Sequence, residues 1–344
     1  MPAQASGVAT LMDVLSELDP SGKQLDIAEV LTQQNEVLKD MHWEEGNAPT
    51  GHKDGVRTSI PSPSFRALNA GVPLTKSGST VIEETCSLLE DFSQVDRELA
   101  IMSGDVSRYR LRQANPHIIG MSHKQASTLF YGNAGTQPLE YTGFANRFNT
   151  LSTTTNKAAA NVISAGGSGA SLRSIWLIVW GPDTVFGIYP KNTKGGLMHE
   201  DATNASGSGG DGSPPATVLT DPNGNLYMGY RDHWLWRCGL FVKDWRYVAR
   251  ICNIDLTTLT LTGTTGAKLQ DLLVQLTEQV ESLSQGRAVI YMPRSLQTYF
   301  RRQLLEQKNA MLSWDDIGGE RILSFSGVPI RRTDVLNTNE TQVV

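Results

Sequence analysis

Apolar residues in this chain recur with helical spacing, with strand-like alternation and in short continuous runs, and the three patterns divide it into segments. Leu11, Val14, Leu15 and Leu18 fall at i, i+3, i+4 and i+7 before Asp19, Pro20, Ser21 and Gly22 break the run. Ile27, Val30, Leu31 and Leu38 form a second short helical pattern. Helices this small are marginal alone, so both need a partner surface such as a neighbouring subunit. Residues 43–80 are rich in Gly, Pro, Ser and Thr, yet hold strand-like pieces such as Val56 to Ile60. They predict an extended hairpin with too few apolar residues to bury itself, which should project outward.

Ser93, with Asp96 three positions on, gives a capping-box-like start to a helix over 93–101. Asn115 and Pro116 predict a stronger helix start. Ile119, His123, Ala126 and Phe130 mark one face, with Ile118, Gln125 and Leu129 beside it, and Gly132 stops the helix. Its sixteen residues, Pro116 to Tyr131, make a rod of about 24 Å.

The middle reads as β-rich. Ser174 to Trp180 is a buried strand, and Thr184 to Tyr189 its hairpin partner across Gly181, Pro182 and Asp183. A low-complexity loop from Ala205 to Pro215 precedes a long strand pair, Leu226 to Cys238 and Gly239 to Ile254. Helical spacing then returns at Leu269, Leu272, Leu273, Leu276, Val280 and Leu283, ended by Gly286. A strand at Ala288 to Met292, a helix capped by Ser295 and running to Leu305, and a strand–turn–strand around Gly327 complete a mixed subdomain. No internal repeat is visible.

A length of 344 residues allows one large or two modest domains, and 39% hydrophobic with 19% charged residues reads as globular. The longest apolar run, Ile175 to Trp180, is far short of the roughly 20 residues of a membrane span. Met1 to Leu18 lacks the basic start and apolar stretch of a secretory signal. Cys86, Cys238 and Cys252 are odd in number and fit no zinc spacing, which suits a reducing cytoplasm. A net charge of −5 argues against a dedicated nucleic-acid binder; it suits a surface that encloses DNA without gluing to it and most neutral enzymes alike, so composition decides nothing further.

Candidate chemistry is thin. Gly207 to Gly212 spells G-x-G-x-x-G, but Ser213, Pro214 and Pro215 follow where a helix must start, so a surface loop is expected. His117 and His123 are six apart and diverge on a helix. His199, Glu200 and Asp201 beside Gly195 and Gly196 read as a solvated loop, with a divalent-cation or subunit contact as the sharper alternative. Ser168, within Gly166 to Ala170, lacks the second glycine of a nucleophile elbow, and Cys86 has no nearby His. No Walker pattern is present, and five of seven tryptophans lie between Trp176 and Trp245, as sheet core or subunit contacts. No catalytic, cofactor-binding or metal-ligating residue is assigned.

Three stretches carry a resemblance. Ala126 to Phe144 (ASTLFYGNAGTQPLEYTGF) resembles the end of the long spine helix in major capsid proteins of tailed bacteriophages. Val289 to Arg294, Tyr299, Gly327 to Ile330 and Thr333-Asp334 resemble that family's axial domain. Tyr230 to Ala249 (YRDHWLWRCGLFVKDWRYVA) is similar to the strand pair of its peripheral domain. Met41 to Gly46, Ser127 to Asn133 and Lys243 to Arg250 look most like a short-tailed phage group.

The resemblance implies an α+β tailed-phage capsid fold with permuted segment order, because the strand pair precedes the helices of 267–309. It lays out an N-terminal arm at 1–42, an E-loop at 43–80 and a peripheral domain at 81–255 with the spine helix at 116–131. An axial domain at 256–335 and a C-terminal tail at 336–344 follow. The implied function is a non-enzymatic shell protein forming hexamers and pentamers around double-stranded DNA in a virion assembled in the host cytoplasm. Partners would be other copies, a separate scaffolding protein, a portal and a decoration protein. Some relatives join Lys to Asn between subunits; Lys53 and Lys76 lie in or near the E-loop, but solvated lysines are the expectation. The alternatives are an encapsulin-like non-viral shell and an α/β hydrolase or oxidoreductase using the Gly-rich loop.

Overall fold

In the computed structural model the described residues are 35–203, 214–221, 223–260, 266–307, 312–317 and 320–344. The first helical pattern, the second up to Leu31 and the loop Gly207 to Gly212 lie outside them, while Leu38 of the second falls in the short helix Val37–Asp40. The chain forms two compact units from interleaved segments, one of Leu88–Gln125 with Gly196–Arg237, the other of Gln34–Ser87, Ala126–Gly195 and Cys238–Val344.

In the first unit, strand Ser87–Asp96 passes into the short helix Arg97–Met102. Asp96 is the cap, its carboxylate accepting from the Glu98 amide at 2.8 Å. Ser93, expected as the cap, lies buried inside the strand, where pairing with Leu226–Val242 prevails over the local signal.

The long helix runs Val106–Tyr131. Its 26 residues span about 39 Å, against the 24 Å expected from a start at Pro116. Asp105 accepts from the Arg108 amide at 3.0 Å and starts the helix. Pro116 sits mid-helix, where it costs a hydrogen bond and about 3 kcal/mol. Burial on both sides of it outweighs that cost: Tyr109 packs with Tyr230, and Ala114 and Met121 with Trp234.

Strand Leu226–Val242 is one 17-residue piece, so the expected turn at Cys238 and Gly239 does not exist. Gly239 instead marks a close approach of strands, since a Cβ there would lie 3.0 Å from the Thr85 carbonyl oxygen. In the first unit the strand pairs antiparallel with Thr217–Thr220 and Leu197–Asp201. The expected pairing of Leu226 to Cys238 with Gly239 to Ile254 is likewise replaced: Val248–Asp255 pairs with Leu172–Trp180 and Val162–Ser164.

At the centre of the second unit is strand Leu172–Trp180, buried on both faces as its continuous apolar run requires. Val248–Asp255 and Arg287–Met292 pair with it antiparallel. Beyond Arg287–Met292 lie Val328–Arg332, Glu320–Phe325 and Leu312–Ile317. The hairpin partner expected at Thr184 to Tyr189 meets it only at Trp180 and Val185, and strand Val185–Tyr189 pairs with Gly239 to Val242 and Trp43–Glu45. The turn after Trp180 thus delivers the chain to distant partners, a choice that local turn residues do not encode.

One face of the central strand, through Ile175, Leu177 and Val179, packs on helix Leu269–Gln279 and helix Arg294–Gln307. On the other, Trp176 meets Phe130, Phe144 and Phe148 at ring separations of 6.1, 5.9 and 6.0 Å. Helix Leu269–Gln279 is shorter than the apolar repeat, because Val280 is extended and Leu283–Gln285 forms a separate short turn. Helix Arg294–Gln307 begins one residue before Ser295, directly after Pro293. Ser326 and Gly327, with φ of 51° and 80°, turn the chain from Glu320–Phe325 into Val328–Arg332 as expected.

Candidate functional site

Strands Gly51–Ser59 and Gly78–Thr85 form an antiparallel two-stranded sheet of their own, joined by 60–77. The second arm reaches Thr85, past the boundary expected at 80, because the register Gly51 to Thr85 extends the ladder to its base.

The base is tightly held. A Cβ on Gly51 would lie 2.0 Å from the Glu84 carbonyl oxygen, so only glycine fits. Arg147 grips the Glu84 carboxylate with both terminal nitrogens, at 2.5 and 2.8 Å, and also donates to the Thr142 carbonyl. His52 lies edge-on to Phe241 at 4.7 Å, and Ile82 and Cys86 pack on the same Phe186, Ile188 and Phe241 cluster. Lys243 pairs with Asp54 at 3.1 Å and Asp183 at 2.9 Å. Partial burial pushes the Asp54 carboxyl up, but the bonds from Lys243 and the Gly55 amide overcome this and hold it below its ordinary value.

Outward from Asp54 the support ends: a Cβ on Gly55 would meet nothing within 4 Å. Lys53 forms an exposed pair with Glu83 at 2.9 Å. Beyond Ser59, Ile60, Phe65, Leu68 and Leu74 are each at least 82% exposed. A lone two-stranded ribbon is marginal in water, and a cluster of bare apolar side chains marks an interaction surface.

The other residues weighed in the sequence fall into structural roles. His199 and Asp201 are on strand Leu197–Asp201, not in a loop. His199 stacks on Trp234 at 4.1 Å and its Nε2 lies 2.9 Å from Asp232, while Arg110 bonds Asp232 and Asp201 at 2.8 and 3.0 Å. Cross-strand pairing with Asp232 to Trp236 draws this polar run into the sheet. His117 pairs with Asp91 at 2.7 Å, on a strand, and does not converge with His123. The glycines around Ser168 admit the Asp255 carboxylate: a Cβ on Gly169 would lie 2.2 Å from it. Burial pushes the Cys86 thiol up to about 12 and Cys252 to about 11, the opposite of an activated thiolate. Among the described residues no group of three His, Cys, Asp or Glu could hold a metal.

Sequence reasoning missed a buried ionic centre. Arg250, 3% exposed, donates to Glu340 at 2.7 Å, the Phe148 carbonyl at 2.6 Å and Ser174 Oγ at 3.1 Å, and lies 4.9 Å over the Trp176 ring. The Tyr131 hydroxyl donates to Glu340 at 2.7 Å, and Ser174 donates to the same carboxylate. Asn253, at φ 58°, bonds both backbone groups of Val343, at 2.8 and 2.9 Å. The segment expected as a tail is therefore strapped into the core. The only signal for this was an Arg among apolar strand residues.

Among the described residues nothing assembles a nucleophile, a base and an oxyanion site, and the bare hairpin stands out as a surface without a partner. Residues 19–344 match the family described as Major capsid protein GP7. The chain belongs to that family. A major capsid protein is a structural component of the virion shell, not an enzyme, and the expected role as a capsid protein of the virion holds. The chain is 30% identical to the protein in the near-atomic structure of bacteriophage Epsilon15, covers 100% of both chains and superposes with a TM-score of 0.77. The expected α+β capsid fold is thereby established. A bacteriophage JBD30 capsid chain is 10% identical at a TM-score of 0.49, with 94% of this chain and 98% of that one covered. The SrpI encapsulin of Synechococcus elongatus PCC 7942 is 12% identical at 0.41, with 67% and 92% covered, and neither of these two looser likenesses carries an argument. No match was found among curated proteins. No helix of the described residues is long and apolar enough to cross a membrane.

Proposed function

We propose that this major capsid protein assembles as hexamers and pentamers of an icosahedral head around double-stranded DNA, with the hairpin Gly51–Ser59/Gly78–Thr85 laid on neighbouring copies as the E-loop. The carrying observation is the contrast between its clamped base and its bare apolar tip. Symmetric assembly gives every tip a partner and multiplies modest contacts. In this reading Val106–Tyr131 is the spine helix and 256–335 the axial domain. A permuted segment order is supported by strand Val248–Asp255 preceding helices Leu269–Gln279 and Arg294–Gln307 in the chain. A scaffolding protein, a portal and a decoration protein would be separate chains.

Replacing residues 61–77 by a short Gly/Ser turn tests the reading. The subunit should stay folded by circular dichroism, and negative-stain images should lose closed shells. Wild-type shells from the shortened chain would refute the role given to the hairpin.

A further inference from the structure

A groove of about 260 Å³ opens in the first unit, between helix Val106–Tyr131 and the strands Leu197–Asp201 and Leu226–Val242. Arg110 and Leu111 line its helix side, and His199, Asp201, Asp232 and Trp234 its strand side. Asp201 and Asp232 share the Arg110 guanidinium at 3.0 and 2.8 Å, so two carboxylates stand against one cation. Leu111 is 61% exposed, and His199 stacked on Trp234 gives an aromatic wall. Segments 88–125 and 196–237 carry ten acidic against seven basic residues, which adds to the negative bias. The hairpin tip has the opposite character. Residues 60–77 contain Arg66 and Lys76 and no Asp or Glu, beside the bare Phe65, Leu68 and Leu74. The tip also has a shape of its own. The Ala70 amide donates to the Ala67 carbonyl at 3.2 Å, Asn69 takes a φ of 66°, and Arg66 donates to the Ala70 carbonyl at 3.2 Å. This turn presents Arg66 and Leu68, two residues apart, as a basic and apolar knob.

We propose that this knob seats in the groove of a second copy, Arg66 beside Asp201 and Leu68 against Leu111 and the Trp234 ring, an inference that rests on the hairpin reading above. Charge complementarity selects the pair: Arg66 brings the second cation that the two carboxylates lack. Its planar fork suits a carboxylate that is still half exposed, as Asp201 is at 53%. Seating Leu68 on Leu111 takes two bare leucines out of water together. The groove is smaller than the roughly 300–1,000 Å³ of a drug-sized ligand site, so it takes the side chains of a turn and not a folded domain. Knob and groove lie on different segments of the chain, which makes the contact head-to-tail. Contacts of that kind close into rings when a rotation repeats them, and hexamers and pentamers are such rings.

The test mixes two full-length variants, Leu68→Cys and Leu111→Cys, before assembly and then oxidises the shells mildly. Disulfide-linked dimers joining position 68 of one chain to position 111 of another should form several-fold more than when Leu139→Cys, at an even barer leucine, replaces Leu111→Cys. Arg66→Gln and Asp201→Asn should each lower the shell yield about tenfold with unchanged thermal melts, because assembly multiplies a modest contact. The double variant should lower it no further, since both changes remove the same contact. Equal linkage at Leu139→Cys, shells without mixed linkage, or additive effects in the double variant would overturn the proposal. So would linkage inside single, dilute free chains carrying both cysteines, which would make the contact internal. If shortening 61–77 abolishes shells while the groove variants assemble normally, the receiving surface lies elsewhere and the hairpin reading stands. Should a cysteine variant misfold, the Arg66→Gln and Asp201→Asn cycle decides alone.

Discussion

The hairpin and the central strand Leu172–Trp180 are both β-structure of similar strand length, yet they are stabilised in opposite ways. The central strand is paired on both edges and buried on both faces, with Trp176 under a guanidinium and three phenylalanine rings around it. The hairpin has one partner strand, open faces and a tip whose apolar side chains touch water. The first is complete within one polypeptide. The second becomes complete only against another surface, which in the proposed reading is another copy.

The largest expected effect comes from breaking the core's ionic centre. Arg250→Ala leaves Glu340 buried without its counter-charge and should cost about 3–5 kcal/mol in urea unfolding of the unassembled chain. Both tail and strand should loosen together. Arg147→Ala removes the bidentate grip on Glu84 and should cost about 1.5–3 kcal/mol. Its amide exchange should rise first at Gly51 to Lys53 and at Glu84, sharpening where the clamped base gives way to the free arm.

Alkaline pH offers a third probe. Burial holds the Cys86 and Cys252 thiols protonated to about 12 and about 11, whereas the unfolded chain releases these protons near 9.0. Burial, and then the neighbouring Glu340, also raises the Tyr131 hydroxyl above its ordinary 10.0. Folded values above unfolded ones mean that this stabilisation is complete below pH 9 and is lost as pH rises through 11–12. Thermal melts from pH 8 to pH 11 should therefore fall steadily, and Cys252→Ser should shallow the fall. The smallest effect on the subunit is expected at the hairpin tip. Phe65→Ser with Leu74→Ser should change subunit stability by less than about 0.5 kcal/mol, while light scattering should show shell formation reduced at least tenfold.

Much of this was legible in the sequence where the cause is local. The run Ser174 to Trp180 announces burial on both faces, and the Leu269 to Leu276 repeat announces a helix stripe. The hairpin was readable because its residues cannot form a core. Choices made between distant segments were hidden. Pro116 looked like a helix start because the tertiary burial of Tyr109 and Ala114 that extends the helix backward is not in the local pattern. Strand Val185–Tyr189 looked like a hairpin partner of the strand before it, although its ladder neighbours come from residues 43–45 and 239–242. The segment 336–344 read as a tail because the partners of its Glu340 lie 90 and 209 positions away.

The decisive measurement is amide hydrogen exchange on the free subunit and on closed shells, compared residue by residue. Strand Leu172–Trp180 should be protected in both, and Val56 to Ser59 with Gly78 to Val81 should exchange freely in the subunit and at least a hundredfold more slowly in shells. Equal protection of hairpin and central strand in the free subunit would contradict the account.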